Sequence, residues 1–171
     1  LEACGGPEFL GLYAPIWQTG TQSGVNDLFS QSLNLYGEWE LCHCPGKEGT
    51  LYVFYLHESD SFGNSAGQFA EAVGTTILPN DDVGDATNAL AHFAWTQKFL
   101  DGDVEISVGQ LGLKLMIDQN DYAGWDRVSF MSGPLSGNQV RNLPIAALGI
   151  DTTVHLTDDL QMSMVVADAD G

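Results

Sequence analysis

Hydrophobic and polar side chains alternate along much of this chain, most clearly on either side of Asp101-Gly102. That dipeptide favours positive φ, so the runs flanking it predict an antiparallel hairpin with a tight turn. In the first run Phe93, Trp95, Gln97 and Phe99 share one face, and His92, Thr96 and Lys98 share the other. In the second, Val104, Ile106 and Val108 alternate with Glu105, Ser107 and Gly109, and the strand is expected to reach Ile117. Further strands are predicted over 8–19, 31–41, 50–58, 145–156 and 160–167. The first contains Pro15, which marks an edge or a bulge because proline cannot donate to a ladder. In the second, Leu33, Leu35, Trp39 and Leu41 oppose Asn34, Tyr36, Glu38 and Glu40. The strand at 50–58 is apolar on both faces, so its phase stays open. Leu148, Ile150 and Val154 oppose Asp151, Thr153 and His155; Leu160, Met162, Met164 and Val166 oppose Gln161 and Ser163.

The connections carry further information. Residues 1–7 read as an irregular lead-in and 20–30 as a polar loop. From the second strand onward the connections run short (42–49), long (59–88), short (100–103), long (118–144) and short (157–159). Within the first long one, AGQFAEAV suits one or two turns of helix. In an up-and-down sheet this order puts every short turn at one end and every long loop at the other. Outer-membrane barrels have that asymmetry, and a soluble sandwich has no reason to sort its loops. The expected fold is therefore all-β: an antiparallel up-and-down transmembrane β-barrel in one domain, 1–171, with 59–88 and 118–144 as extracellular or constriction loops. Its apolar stripe would meet lipid, with Trp39, Phe93, Trp95 and Phe99 as candidate interfacial aromatics. A half-buried sandwich strand alternates in the same way.

Charge narrows the partners. The 171 residues include 23 acidic and 5 basic side chains, a net charge of −18. Nucleic acid is disfavoured, since its affinity comes from Lys and Arg at phosphates, and so is an anion pore. Neutral solutes, cations or a surface bathed in divalent ions fit better. No run approaches the ~18 apolar residues that a membrane helix needs, which leaves barrel strands untouched.

No enzyme motif is present. His43, His57, His92 and His155 stand singly, so no metal site is expected. Asp168-x-Asp170-Gly171 is similar to the start of a calcium loop without its remaining ligands, which allows at most loosely bound calcium. Glu38 and Glu40 point the same way, ~7 Å apart by the strand rise, but catalysis is not expected from that pair alone. Lys98 lies across the hairpin from Glu105, an expected rim ion pair. In the barrel reading Cys4, Cys42 and Cys44 gather at the short-turn end. A disulfide of Cys4 with Cys42 or Cys44 is expected, worth roughly 4 kcal/mol for a loop of ~40 residues in the chain-entropy account.

The segment LAHFAWTQKFLDGDVEISVGQLGL, 90–113, resembles the carbohydrate-selective porins of bacterial outer membranes, which carry a similar aromatic strand, an "FLDG"-type turn and a strand ending in a pair such as Gly109-Gln110. GTLYVFYLHESDSFGNS at 49–65 and LGIDTTVHLTDDLQMSMVVADADG at 148–171 agree in order and spacing. The resemblance spans roughly residues 31–171. It implies about seven strands, the N-terminal portion, of a barrel of about sixteen that passes sugars and other small solutes by diffusion. The implied localisation is the bacterial cell outer membrane. The expected partners are its lipid, small sugars and further copies of the chain in a trimer, with no resident cofactor and no enzymatic activity. Pore-lining residues follow from strand phase: Asn34, Tyr36, Glu38, Glu40, His92, Thr96, Lys98, Glu105, Asp151 and Thr153. Trp125, Asp126, Arg127 and Arg141 are added on the expectation that 118–144 folds inward and narrows the pore. Two other readings use the same residues: a secreted soluble β-sandwich that binds carbohydrate or calcium through its loops, and a structural cell-surface protein crosslinked by divalent ions.

Overall fold

The alternating runs become one continuous ladder. The computed structural model describes residues 6–21, 27–44, 47–63, 66–74, 87–117, 144–157 and 159–168. Its strands are β1 (Glu8–Gln18), β2 (Leu28–Cys44), β3 (Lys47–Gly63), β4 (Thr87–Phe99), β5 (Val104–Leu111), β6 (Ala147–Thr157) and β7 (Leu160–Ala167). They form a single seven-stranded sheet in chain order, with every neighbouring pair antiparallel. The sheet is up-and-down and not closed: β1 and β7 are its edges. Pro15 sits in edge strand β1, opposite Gln31, where its missing N–H costs no interior ladder bond.

The β4–β5 hairpin has the expected turn. Asp101 and Gly102 take φ 56° and 99°, and the Asp103 N–H donates to the Leu100 carbonyl at 3.2 Å. Leu100 also takes positive φ, 55°, and Asp103 is helical, so a four-residue loop, 100–103, joins the last ladder pair, Phe99 and Val104, rather than a two-residue type I′ turn.

Several boundaries differ from expectation. β2 and β3 extend beyond 31–41 and 50–58 at both ends, so most of the expected turn 42–49 is ladder and 59–63 is strand rather than loop. Backbone pairing continues there under polar residues such as Glu48 and Ser59 and also under Leu28 and Phe29, beyond where the alternation is clean. AGQFAEA forms helix α1 (Ala66–Ala72). The expected strand through Ile117 is a correction: β5 stops at Leu111, and Leu113–Ile117 is a short helix, α2. Leu113 and Met116 repeat at i, i+3 and pack together on Leu111, Ala94 and Ala147. The contact repeats with period three where the sequence pattern predicts period two.

Register assigns the faces. Trp39, Leu51, Trp95, Val108, Ile150 and Val166 form one transverse row across β2 to β7. The adjacent row on the opposite face is Glu40, Thr50, Thr96, Ser107, Asp151 and Val165. Strand β3 thereby gains a phase, with Leu51, Val53 and Tyr55 on the first, outer face and Tyr52, Phe54 and Leu56 on the second, inner face. Both helices lie on the inner face. Phe69 of α1 packs on Leu28 and Ile16, and Leu115 of α2 packs on Phe54, Leu56 and Ala91. A further inner row, Ala94, Gly109, Gly149 and Ala167, is built of small residues. A Cβ on Gly109 (φ 145°) would come 2.9 Å from Ala94 Cα, and one on Gly149 would come 2.6 Å from the Val166 carbonyl oxygen. The row lies beside α2, whose Met116 packs against the cluster that holds Ala94.

Candidate functional site

Burial is inverted relative to an ordinary half-wet sheet. The inner face holds the core clusters under the helices, together with buried Ser30, Ser32, Asn34, Thr50, Thr96 and Asp151. The outer face is apolar and uncovered. Phe9, Trp17, Trp39, Phe93, Val108, Leu148, Ile150, Met162, Met164 and Val166 are all exposed there, from 43% for Trp39 to 80% for Phe9. No second layer covers this face among the described residues.

The expected pore-lining set shares the inner face. Tyr36, Glu38, Glu40, His92, Lys98, Glu105 and Asp151, with Asn34, Thr96 and Thr153, all fall on it by register. Lys98 is 3.9 Å from Glu105, as expected, and also 3.9 Å from Glu48. His155 Nε2 lies 3.9 Å from the same Glu105 oxygen. Asp151 accepts from Ser163 Oγ at 2.8 Å and, weakly, from Thr153 Oγ1 at 3.5 Å. Thr96 and Ser107 share a hydrogen bond of 2.8 Å. Trp125, Asp126, Arg127, Arg141 and Cys4 lie outside the described residues. Cys42 and Cys44 are described only as backbone at the short-turn end of β2. Asp168 follows β7, while Asp170 and Gly171 lie outside the described residues.

Among the described residues, cavities open on the inner face. One, of about 520 Å³, lies over β1 to β4 against α2. Leu10, Tyr36, Phe54, Leu115 and Met116 supply its apolar wall, and Glu8, Glu38, Tyr52 and His92 its polar groups. Tyr36 and Phe54, opposite each other across β2 and β3, are stacked with ring centroids 4.5 Å apart and planes 8° apart. Tyr52 donates to Glu38 Oε1 at 3.3 Å. His92 Nδ1 accepts from the Gly112 backbone N–H at 3.2 Å, so the ring proton sits on Nε2 and the ring is uncharged. The second cavity, about 490 Å³, lies by β6 and β7 and is more polar, lined by Asp151, Thr153, Gln161 and Ser163 with Met116 and Ile117 of α2.

Sequence reasoning missed Leu10, Tyr52, Phe54, Leu115 and Met116. Tyr52 and Phe54 sit on the strand whose phase was open, and Leu115 and Met116 on the segment read as strand. The i, i+3 repeat of Leu113 and Met116 was the signal for the helix. Among the described residues no cluster of His, Cys, Asp and Glu has the makings of a metal site, and no helix is long and apolar enough to cross a membrane.

No family model matches the chain, and no curated protein or solved structure matches it.

Proposed function

We propose that the chain is part of an outer-membrane β-barrel that works as a passive diffusion channel for sugars and other small solutes. One observation carries this reading: the uncovered face of the sheet is apolar from β1 to β7, while the polar rows lie on the face that holds the helices. Exposed large apolar side chains on this face come from β1, β2, β4, β5, β6 and β7, the kind of contiguous patch that marks an interaction surface.

Connection length supports the same reading. Residues 19–27, 64–86 and 112–146 join strands at one end, while 45–46, 100–103 and 158–159 join them at the other. Inner rows of Glu, Thr, Ser and Asp, with a net charge of −18, suit a wet lumen for neutral or cationic solutes rather than anions.

Lipid tolerates no open sheet edge, so in the membrane β1 and β7 pair with further strands. With seven strands, β1 and β7 run in the same direction. A ring of identical sheets joined β7 to β1 would therefore contain parallel pairs. Closure by antiparallel pairs alone takes an odd number of additional strands, and nine would give the sixteen that the porin resemblance implies.

The test is liposome swelling. The chain, folded in detergent and reconstituted into vesicles, is placed in iso-osmotic solutions of neutral sugars and of anionic solutes of matched size. Swelling is expected to be faster in the neutral sugars. A chain that stays monodisperse in buffer without detergent, and leaves vesicles tight to both solutes, contradicts the reading.

A further inference from the structure

We infer that the cavity over β1 to β4 is a binding site for an organic cation, an ammonium or guanidinium group carried on an apolar body. The inference rests on this cavity alone and does not require the sheet to lie in a membrane. At about 520 Å³ the space is of the size that takes a small molecule. Its composition sets the class. The stacked rings of Tyr36 and Phe54 form an aromatic wall, continued by Leu115 and Met116 of α2. A cation over such rings is attracted by the ring quadrupole, and an apolar body gains by leaving water.

The polar groups point the same way. The ionisable carboxylates lining the cavity are Glu8 and Glu38, which face each other across the β1–β2 pair. The Tyr52 hydroxyl holds the Glu38 carboxylate beside the aromatic wall. Two acceptor-only groups on neighbouring strands offer a cation two partners of opposite charge. Among the described residues no Lys or Arg lines the cavity, and His92, with Nδ1 occupied as an acceptor, contributes no positive charge. A carboxylate-bearing ligand would meet two like charges there and no donor of opposite charge. A neutral sugar would find acceptors in Glu8 and Glu38 but would leave their two charges uncompensated.

A charge series on one scaffold tests this. Phenethylammonium, 2-phenylethanol and 3-phenylpropionate carry the same ring with positive, neutral and negative heads. Each is titrated by calorimetry into the whole chain folded in a polyoxyethylene detergent, which brings no charged or sugar head group. The ammonium is expected to bind at least about tenfold more tightly than the alcohol, with the carboxylate weakest. Its advantage over the alcohol should shrink as salt is raised. The double variant Glu8→Gln/Glu38→Gln removes the charges at two exposed positions, so it is expected to fold, which circular dichroism verifies. It should lose most of the preference for the cation while binding the alcohol as before. Equal binding of ammonium and alcohol by the unsubstituted chain overturns the inference, whatever the variant does. A preference that persists undiminished in the folded double variant overturns it as well, since the charge would then be read elsewhere.

Discussion

Val108→Lys separates a lipid-facing surface from a wet one. Val108 is at the middle of β5 on the outer face, between Trp95 and Ile150 in its row, and is 48% exposed. If that face meets water, the substitution removes about half of a valine's burial, under about 1 kcal/mol. The lysine stem covers the same neighbours while its ammonium stays hydrated, which lowers the loss further. If the face meets hydrocarbon, a lysine at the midplane costs about 2–4 kcal/mol. Thr153→Lys supplies the control from the inner face, where Thr153 lies opposite Glu105 and beside Asp151. A lysine there gains carboxylate neighbours, and its effect is expected to stay within about 0.5 kcal/mol. The assay is reversible urea unfolding in phospholipid vesicles, followed by tryptophan emission. The expected gap between the two variants is about 2 kcal/mol or more, a factor of roughly 30 in the folding constant. A Val108→Lys cost below about 1 kcal/mol in vesicles, or an equal cost at Thr153, refutes the assignment of faces to lipid and water.

The other predictions concern packing, charge and the long loop. Gly49→Ala should cost about 1–3 kcal/mol, because the added methyl falls within 2.7 Å of Trp95 Cη2; in a Trp95→Leu background the cost should drop by more than half, and additive costs in a double-mutant cycle would count against the contact. Lys98→Met should change stability by less than about 1 kcal/mol despite two carboxylates at 3.9 Å, since the pair is part-exposed; a larger loss in denaturant titration would mean a drier rim than the geometry implies. Arg127→Ala with Arg141→Ala should alter single-channel conductance or block by sugar, as expected of an inward-folded loop; no change in either measurement ends that idea.

Much of the sheet was legible because period-two alternation survives in five of the strands. The positive-φ pair Asp101-Gly102 fixed the hairpin, and strand phase alone placed Tyr36, Glu38, His92, Lys98 and Asp151 on one face. Where the signal failed, the physics differs by element. On β3, apolar side chains serve two purposes, partly exposed on the outer face at Leu51 and Val53 and under a helix at Phe54 and Leu56. Alternation is therefore erased and the phase unreadable. The ends of β2 and β3 mix polar residues with adjacent apolar ones such as Leu28 and Phe29, which breaks the alternation while the backbone ladder continues. For α2, five residues carry a single i, i+3 repeat, Leu113 and Met116, which the alternation of the preceding strand masks. The aromatic cavity was lost with these two segments, since it forms only when Phe54 and Leu115 meet.

The most direct measurement is quenching of Trp39 and Trp95 by phospholipids brominated along the acyl chain. Trp17 and Trp125 are replaced by phenylalanine, so that emission comes from the two tryptophans of one outer row. With the chain folded in vesicles, the account predicts strong quenching by the brominated lipid and little by aqueous iodide. Efficient quenching by iodide, with emission indifferent to bromine in the lipid, contradicts it.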